Sequence, residues 1–576
     1  MNKKEIIKIL EEIGTFLELK GENPFKSRAY YNAARTLQTI DEDIRHLILN
    51  GEIERLKGIG KAIAQKLYIL VSEGKLPYYE ELKKSIPEGL TEMLRIPGLG
   101  PKKVKEIYEK LNITTIGELE YACQENRLRD LSGFGEKSQQ KILESIALFR
   151  KFNERFHYPL ARAEAEAILK HLQSCSHIGD ISIAGSLRRK METVKDVDIV
   201  AICPPEKRKD TMEHFISYEK VLKIIGKGNT KSSVILQSGL QCDLRLVEAD
   251  QFPFALHHFT GSKEHNTAMR QRAKKLHLTM NEYGLFPQGN EQSIKCVNEE
   301  EIFKSLGLVY IPPELREGRD EIEMAERGAL PQLVETGDIQ GILHVHTTWS
   351  DGSAGIEEMA EACRKLGYSY LGISDHSKSA FYANGLSEER LYRQEEEINR
   401  LNESWDDFVL FKGIEVDILQ DGSLDYSDEV LAQFDFVIAS VHSGFKMSEE
   451  EMTARICRAL KHPLVTILGH PTGRLLLGRE PYPLDMGKVL ETAAGHNKVI
   501  EINANPHRLD MDWRWGDLAR KLGVKVAVNP DAHMPQTISD VEIGIGIARK
   551  GGFEAAQVIN TYNKEDIRQF FSSIKK

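Results

Sequence analysis

The sequence predicts a multidomain chain, all-α in its N-terminal part and α/β beyond it. Three observations carry this expectation. Residues 1–150 repeat a glycine-paired turn before a helical run, the middle holds short β-branched runs, and from residue 341 seven β-like runs alternate with helical stretches. The length of 576 residues agrees, being too great for one ordinary domain.

Apolar residues at 41% and charged residues at 28% are those of a soluble globular protein and exclude wholesale disorder. No apolar run reaches the ~18 residues of a membrane span, and Met1-Asn-Lys-Lys-Glu-Ile lacks the apolar core of a signal peptide. The seven cysteines are scattered and never spaced C-x-x-C, which points to a reducing cytoplasm and excludes a thiolate zinc finger. No membrane partner is expected, and the chain is expected to act as a monomer.

A net charge of −10 argues against a nucleic-acid partner only until it is resolved along the chain. Residues 1–150 hold 25 Lys+Arg against 23 Asp+Glu, and residues 151–330 hold 26 against 26. The remainder holds 26 against 38, together with nine of the eighteen histidines. An acidic, His-rich C-terminal part has the composition of a carboxylate–imidazole metal site.

In the N-terminal part, Leu56-Lys-Gly58-Ile-Gly60-Lys, Ile96-Pro-Gly98-Leu-Gly100-Pro and Leu131-Ser-Gly133-Phe-Gly135-Glu each precede a helical run. Two glycines around an apolar anchor make a tight turn and bare backbone N–H groups at the next helix, a site suited to a DNA phosphate. Lys61, Lys102, Lys103 and Lys137 follow the turns and add screened attraction. The three segments resemble helix-hairpin-helix motifs and predict sequence-independent DNA binding. Lys66 lies in the helix after the first turn, as a solvated surface lysine or as an amine nucleophile toward an abasic-site sugar.

In the middle, the run Ile181-Ser-Ile-Ala leads to Gly185-Ser186-Leu187-Arg188-Arg189, and Asp196-Val-Asp198 opens a second run. Asp-x-Asp in a β-strand places both carboxylates on one face, where they repel unless cations sit between them. Asp243, in a third run, adds another carboxylate from a strand that could be a neighbour. Such a triad would hold two Mg²⁺ ions, one activating a 3′-hydroxyl and one gripping a triphosphate. Gly185 and Ser186 would offer backbone N–H groups to that triphosphate, with Arg189 neutralising it.

These motifs, with Phe259-Thr-Gly261-Ser, Asn266, Arg270 and Asn281-Glu-Tyr, resemble those of family X DNA polymerases over residues 1 to about 317. The resemblance implies that Asp196, Asp198 and Asp243 bind the catalytic Mg²⁺ or Mn²⁺ and that Ser186 and Arg189 bind the triphosphate. It places Phe259 and Gly261 at the incoming sugar, and Asn266 and Arg270 at the base and template minor groove. Lys66 matches the family's lyase nucleophile. Two departures stand out. His258 occupies the place of a Tyr in the best-known members, and Gln241 replaces an Arg that hydrogen-bonds among the catalytic carboxylates.

From residue 341, β-like runs are expected near 341–345, 370–374, 409–415, 435–441, 464–469, 498–502 and 524–528, as a parallel sheet closed into a barrel. Six of the seven end at metal-type side chains: His344 and His346 with Asp351, Asp375-His376, Glu415, His442, His470, and Asp531 with His533. The sixth run ends instead at Glu501-Ile-Asn503. Barrel enzymes build their sites at the C-terminal strand ends, so these groups would converge on a polynuclear centre suited to Zn²⁺, Mn²⁺ or Fe²⁺. Asp375 is expected to orient a ligand rather than be one, and His462, His496 and His507 are expected to be structural or exposed.

The His-rich signatures resemble the PHP (polymerase and histidinol phosphatase) family. The resemblance implies that His344, His346, Asp351, His376, Glu415, His442, His470, Asp531 and His533 hold up to three metals. The domains expected are a lyase-like helical domain at 1–90, a helix-hairpin-helix segment at 91–150, and a nucleotidyltransferase palm and thumb at 151–317. A linker at 318–337 and a (β/α)7 PHP barrel at 338–576 follow. The implied function is gap-filling DNA repair synthesis on gapped or nicked DNA with dNTPs. The barrel would add 3′→5′ exonuclease action, with AP-endonuclease or 3′-phosphatase action as further expectations. Two alternatives are a polymerase whose barrel is a small-molecule phosphatase, and a non-catalytic metal-stabilised DNA scaffold.

Overall fold

The computed structural model describes residues 3–38, 40, 44–111, 113–124, 128, 131, 134–153, 155–477 and 479–575. Residues 1–154 and 155–576 form two compact units.

The first unit is helical, from Lys3–Leu19 to Glu136–Asn153, around a core that includes Ile13, Leu37, Leu67, Val104, Ile107 and Leu119. The glycine turns form as expected. Gly58 and Gly98 take φ of +99° and +89°, a region that penalises a Cβ. Ile59, Leu99 and Phe134 plug the core between the glycines. The second glycine of each pair starts the next helix: the Gly60, Gly100 and Gly135 carbonyls accept from Ile63, Val104 and Ser138. A Cβ at Gly60, Gly98, Gly100 or Gly135 would meet nothing within 4 Å, so this backbone faces open space. Gly133 lies outside the described residues.

The second unit opens with a five-stranded sheet of β1 (Ile181–Ile183), β2 (Asp196–Ile202), β3 (Val221–Lys227), β4 (Lys231–Leu236) and β5 (Gln241–Val247). The spatial order is β1-β2-β5-β4-β3, with β2 and β5 parallel and the other pairs antiparallel. Helix Phe252–Thr260 packs beside Ala184 and Val200, and Phe254 links it to a smaller core with Met269, Phe303 and Ile311.

The barrel strands are β6 (Gly341–Ile342), β7 (Tyr370–Ile373), β8 (Val409–Asp417), β9 (Phe436–Ser440), β10 (Ile467–Leu468), β11 (Val499–Asn503) and β12 (Val526–Asn529). They pair in sequence order, every neighbour parallel. A parallel bridge between Val345 and Ala532 brings the first and last edges together, leaving little open edge. Buried apolar residues fill both the barrel and its helical jacket. The stretch 318–337, expected as a linker, is packed instead. Ile322 and Ala325, three apart on helix Glu321–Glu326, join the smaller core, and Val334 joins the barrel core.

Candidate active sites: an aspartate cluster and a histidine-lined barrel mouth

The register of β2 and β5 sets Asp198 directly beside Asp243, and Asp196 beside Gln241. Strand alternation puts Asp196 and Asp198 on the same face, so three carboxylates converge. Burial and the neighbouring carboxylates Asp196 and Asp243 push Asp198 up to about 6. Asp196 is raised by burial and by Asp243. Burial also acts against the Asp243 carboxylate, but hydrogen bonds from Lys231, Gln241 and Ser233 outweigh it and keep the group below its usual range. Such crowding of like charge is the electrostatic signature of a cation site.

Gln241 Nε2 donates to Asp243 Oδ1 at 3.0 Å, so the residue in place of the family's Arg still hydrogen-bonds within the carboxylate cluster. Lys231, 2.6 Å from the other Asp243 oxygen, was not legible in the motifs, since it sits on β4, an antiparallel neighbour. Gly185 is at φ +64°, and a Cβ there would lie 2.4 Å from Asp198 Oδ2, so only glycine brings the 185–189 turn this close to the carboxylates.

The other residues expected at a nucleotide gather around the helix Phe252–Thr260. The Arg245 guanidinium lies 4.0 Å from the Phe259 ring centre. Gly261, at φ +32°, lets Asn266 Nδ2 reach the His258 carbonyl at 2.7 Å. Arg270 is exposed beside Asn266 and Asn281 on one small hollow. Arg189 is not free: its Nε donates to Glu317 at 3.0 Å and its Nη1 to the Thr260 carbonyl at 2.6 Å. In the first unit, the Lys66 ammonium lies 4.6 Å from the Tyr78 ring centre.

At the barrel, all nine predicted ligands sit at or just beyond the C-terminal strand ends, and they interlock. Three groups place donor atoms within 4.8 Å of one another: His346, Asp351, His376 and His533; His344, His346 and Asp531; and His376, Glu415 and His442. His346 and His376 each belong to two groups, and His470 Nε2 joins through Glu415 at 3.0 Å. His344 Nε2 and His346 Nδ1 are buried without a hydrogen-bond partner, the condition of a ligand atom awaiting a cation. The residues therefore fit divalent metal ions, with an imidazole and carboxylate donor set that lacks cysteine.

The opposite ring nitrogens are fastened from behind. His344 Nδ1 is 2.7 Å from Glu501, His442 Nδ1 is 2.6 Å from Asp417, and His533 Nδ1 is 3.0 Å from the Asp531 carbonyl. Each partner turns Nε2 toward the cavity. Burial opposes charge on His442, yet Glu415 and Asp417 overcome it and raise the ring to about 10. His346 falls to about 4 through burial and the crowding of His376 and His533. Asp375 binds no ring. It accepts from Thr347 N at 2.7 Å, Thr347 Oγ1 at 2.8 Å and Gln394 at 2.6 Å, which pins the loop that carries Asp351. His470 and Asp531 hold φ of +22° and +52°, left-handed backbone that non-glycine residues take at a cost and that functional sites tolerate. Of the other histidines, His462 pairs with Asp428 at 3.1 Å and His507 is exposed, its ring packed on His157.

Residues 1–76 match the helix-hairpin-helix domain family and residues 90–147 a SAM-like helix-hairpin-helix tandem. Residues 255–317 match the DNA polymerase beta thumb, and residues 343–505 match the PHP domain. Asp531 and His533 lie beyond that last match and are assigned to the barrel site by its geometry. A probable phosphatase of Thermoanaerobacter sp. is 32% identical over 243 residues, 38% of this chain and 90% of its own length. DNA polymerase/3′-5′ exonuclease PolX of Bacillus subtilis is 42% identical over 573 residues, 99% of both chains. At that identity over nearly the whole of both chains, this protein belongs to the PolX family of DNA polymerase/3′-5′ exonucleases.

Proposed function

We propose that the chain fills short gaps in DNA at the Asp196/Asp198/Asp243 cluster and trims 3′ ends at the barrel mouth. The observation that supports this reading is the coexistence in one chain of an aspartate cluster and a histidine-lined barrel mouth, each with its own supporting hydrogen bonds.

At the first site, Mg²⁺ or Mn²⁺ would be held by the three aspartates, supplying charge neutralisation for a 3′-hydroxyl attacking the α-phosphorus of a dNTP. The chain's own part is positioning. The 185–189 turn offers backbone N–H groups to the triphosphate, and Phe259 and Gly261 shape the sugar pocket. Asn266 and Arg270 approach the base pair. The backbone of Gly58, Gly60, Gly98, Gly100 and Gly135, with Lys102, holds the DNA phosphates without reading sequence. Lys66 would be the amine for abasic-site chemistry.

At the barrel, the nine ligands would hold up to three Zn²⁺, Mn²⁺ or Fe²⁺ ions, which lower the pKa of a coordinated water and polarise a phosphodiester. Glu501, Asp417 and Asp375 keep the ligands aimed while the diester is bound. AP-endonuclease and 3′-phosphatase action would use the same phosphorus chemistry. Seven free cysteines and the DNA substrate suit the cytoplasm, and no helix among the described residues is long and apolar enough to cross a membrane.

A second reading, favoured by the likeness of the barrel to probable phosphatases, makes the barrel a small-molecule phosphomonoesterase. A 5′-labelled primer on a gapped duplex with Mn²⁺ separates the two. Extension with dNTPs and stepwise shortening without them, with release of nucleoside 5′-monophosphates, supports the leading reading. Intact 3′ ends alongside rapid hydrolysis of histidinol phosphate would favour the second.

A further inference from the structure

Glu317 Oε1 carries two cations. It accepts from Arg189 Nε at 3.0 Å and also from the ammonium of Lys550, the last residue of the barrel helix Val541–Lys550. Lys550 is 3% exposed. Its ammonium also donates to the Arg189 carbonyl at 3.0 Å and to that of Glu314 at 3.4 Å, and it lies 4.5 Å from the Trp513 ring centre. Three residues further along the same turn, the barrel grips again: Arg474 and Arg514 lie 3.5 and 3.3 Å from the buried carboxylate of Glu192. The chain leaving the turn that faces the aspartate cluster is therefore held by the barrel at two points, Arg189 and Glu192.

We propose that Lys550 is a positioning residue for nucleotide binding in the polymerase site, acting through Glu317 on Arg189. The inference rests on the reading of Arg189 as a triphosphate ligand. A triphosphate would compete with Glu317 for Arg189, whose Nε and Nη1 are already engaged. That carboxylate's side chain is only 13% exposed, so without Lys550 the departure of Arg189 would leave a poorly solvated anion. Lys550 supplies a second counter-charge that stays in place when Arg189 leaves. It also divides the pull of one carboxylate oxygen between two donors. A barrel residue thus sets how readily the palm releases its arginine to substrate, with no contact of its own to the nucleotide.

The test is single-nucleotide gap filling by the full chain, with dNTP KM and kcat measured separately and 3′ trimming recorded on the same preparations. Lys550→Met should raise dNTP KM roughly tenfold, the worth of one charge-assisted hydrogen bond. Its kcat should stay within about twofold and its trimming should be unaltered. Lys550→Arg should restore KM. Lys550→Met/Glu317→Gln should restore it too, because the carboxylate that competes with the triphosphate has gone; a packing defect would not be rescued this way. An unaltered KM in Lys550→Met, or a double variant as impaired as the single, overturns the proposal. Should Lys550→Met lose trimming and fold poorly, Glu317→Gln alone decides: KM at or below wild type supports the proposal, and a raised KM overturns it. A wild type that extends no primer would sink the polymerase reading and this inference with it. A wild type that extends normally beside an unaffected Lys550→Met sinks the inference alone.

Discussion

Glu415 is the most crowded carboxylate of the barrel, with nitrogens of His344, His346, His376, His442 and His470 all within 3.6 Å. Burial acts against its charge, but His442, His344 and His376 hold it well below the ordinary carboxylate range. These candidate ligands were readable because they stand at the ends of β-like runs, where side-chain type and strand end coincide. Asp417 and Glu501 were not assigned, because they act through a ring rather than on a cation. The i,i+2 spacing of Glu415 and Asp417 on β8 carried that signal, since alternate strand residues share a face. Asp417→Ala should leave His442 free to turn, lowering trimming by ~10- to 100-fold and reducing the metal content. Primer extension should be unchanged. Metal analysis of the purified protein beside both rates checks this, and full trimming with full metal content would remove Asp417 from the site.

Among the elements, the hairpins came through best, because their chemistry is local: glycine, apolar anchor, glycine, helix. The structure adds that Ile59, Leu99 and Phe134 are core residues and that Gly60, Gly98, Gly100 and Gly135 look onto open space. Strand content in the barrel was legible from β-branched runs and its closure from the regular β/α alternation, whereas the residues that close it, Val345 and Ala532, were not, being a contact between distant segments. For the same reason the D-x-D motif showed which face two carboxylates share, but the pairing of Asp198 with Asp243 depends on a β2–β5 register that sequence does not display. Lys102 is exposed at the start of helix Pro101–Leu111, beside the Gly98–Gly100 turn. Lys102→Ala should weaken DNA binding alike for every sequence and reduce the slope of log K against log salt by about 0.9, one phosphate contact. Fluorescence anisotropy across a salt series measures it, and an unchanged slope would place Lys102 off the DNA.

Over the whole molecule, a net charge of −10 conceals two different chemistries. The acidic surplus belongs to the part after residue 330, where Glu415, Asp417, Glu501 and Asp531 are matched to histidines. The near-neutral part before it carries the glycine turns and single lysines through which we propose that the chain holds DNA. The palm, thumb and barrel share buried ion pairs at Glu317, Glu314 and Glu192, so the two sites are separate in ligands yet joined in structure. Separate catalytic centres are tested most directly by two double variants of the full chain on one labelled gapped duplex. Asp196→Ala/Asp198→Ala should abolish extension and keep trimming, whereas His344→Ala/His346→Ala should abolish trimming and keep extension. Loss of both activities in either folded variant would contradict two independent sites.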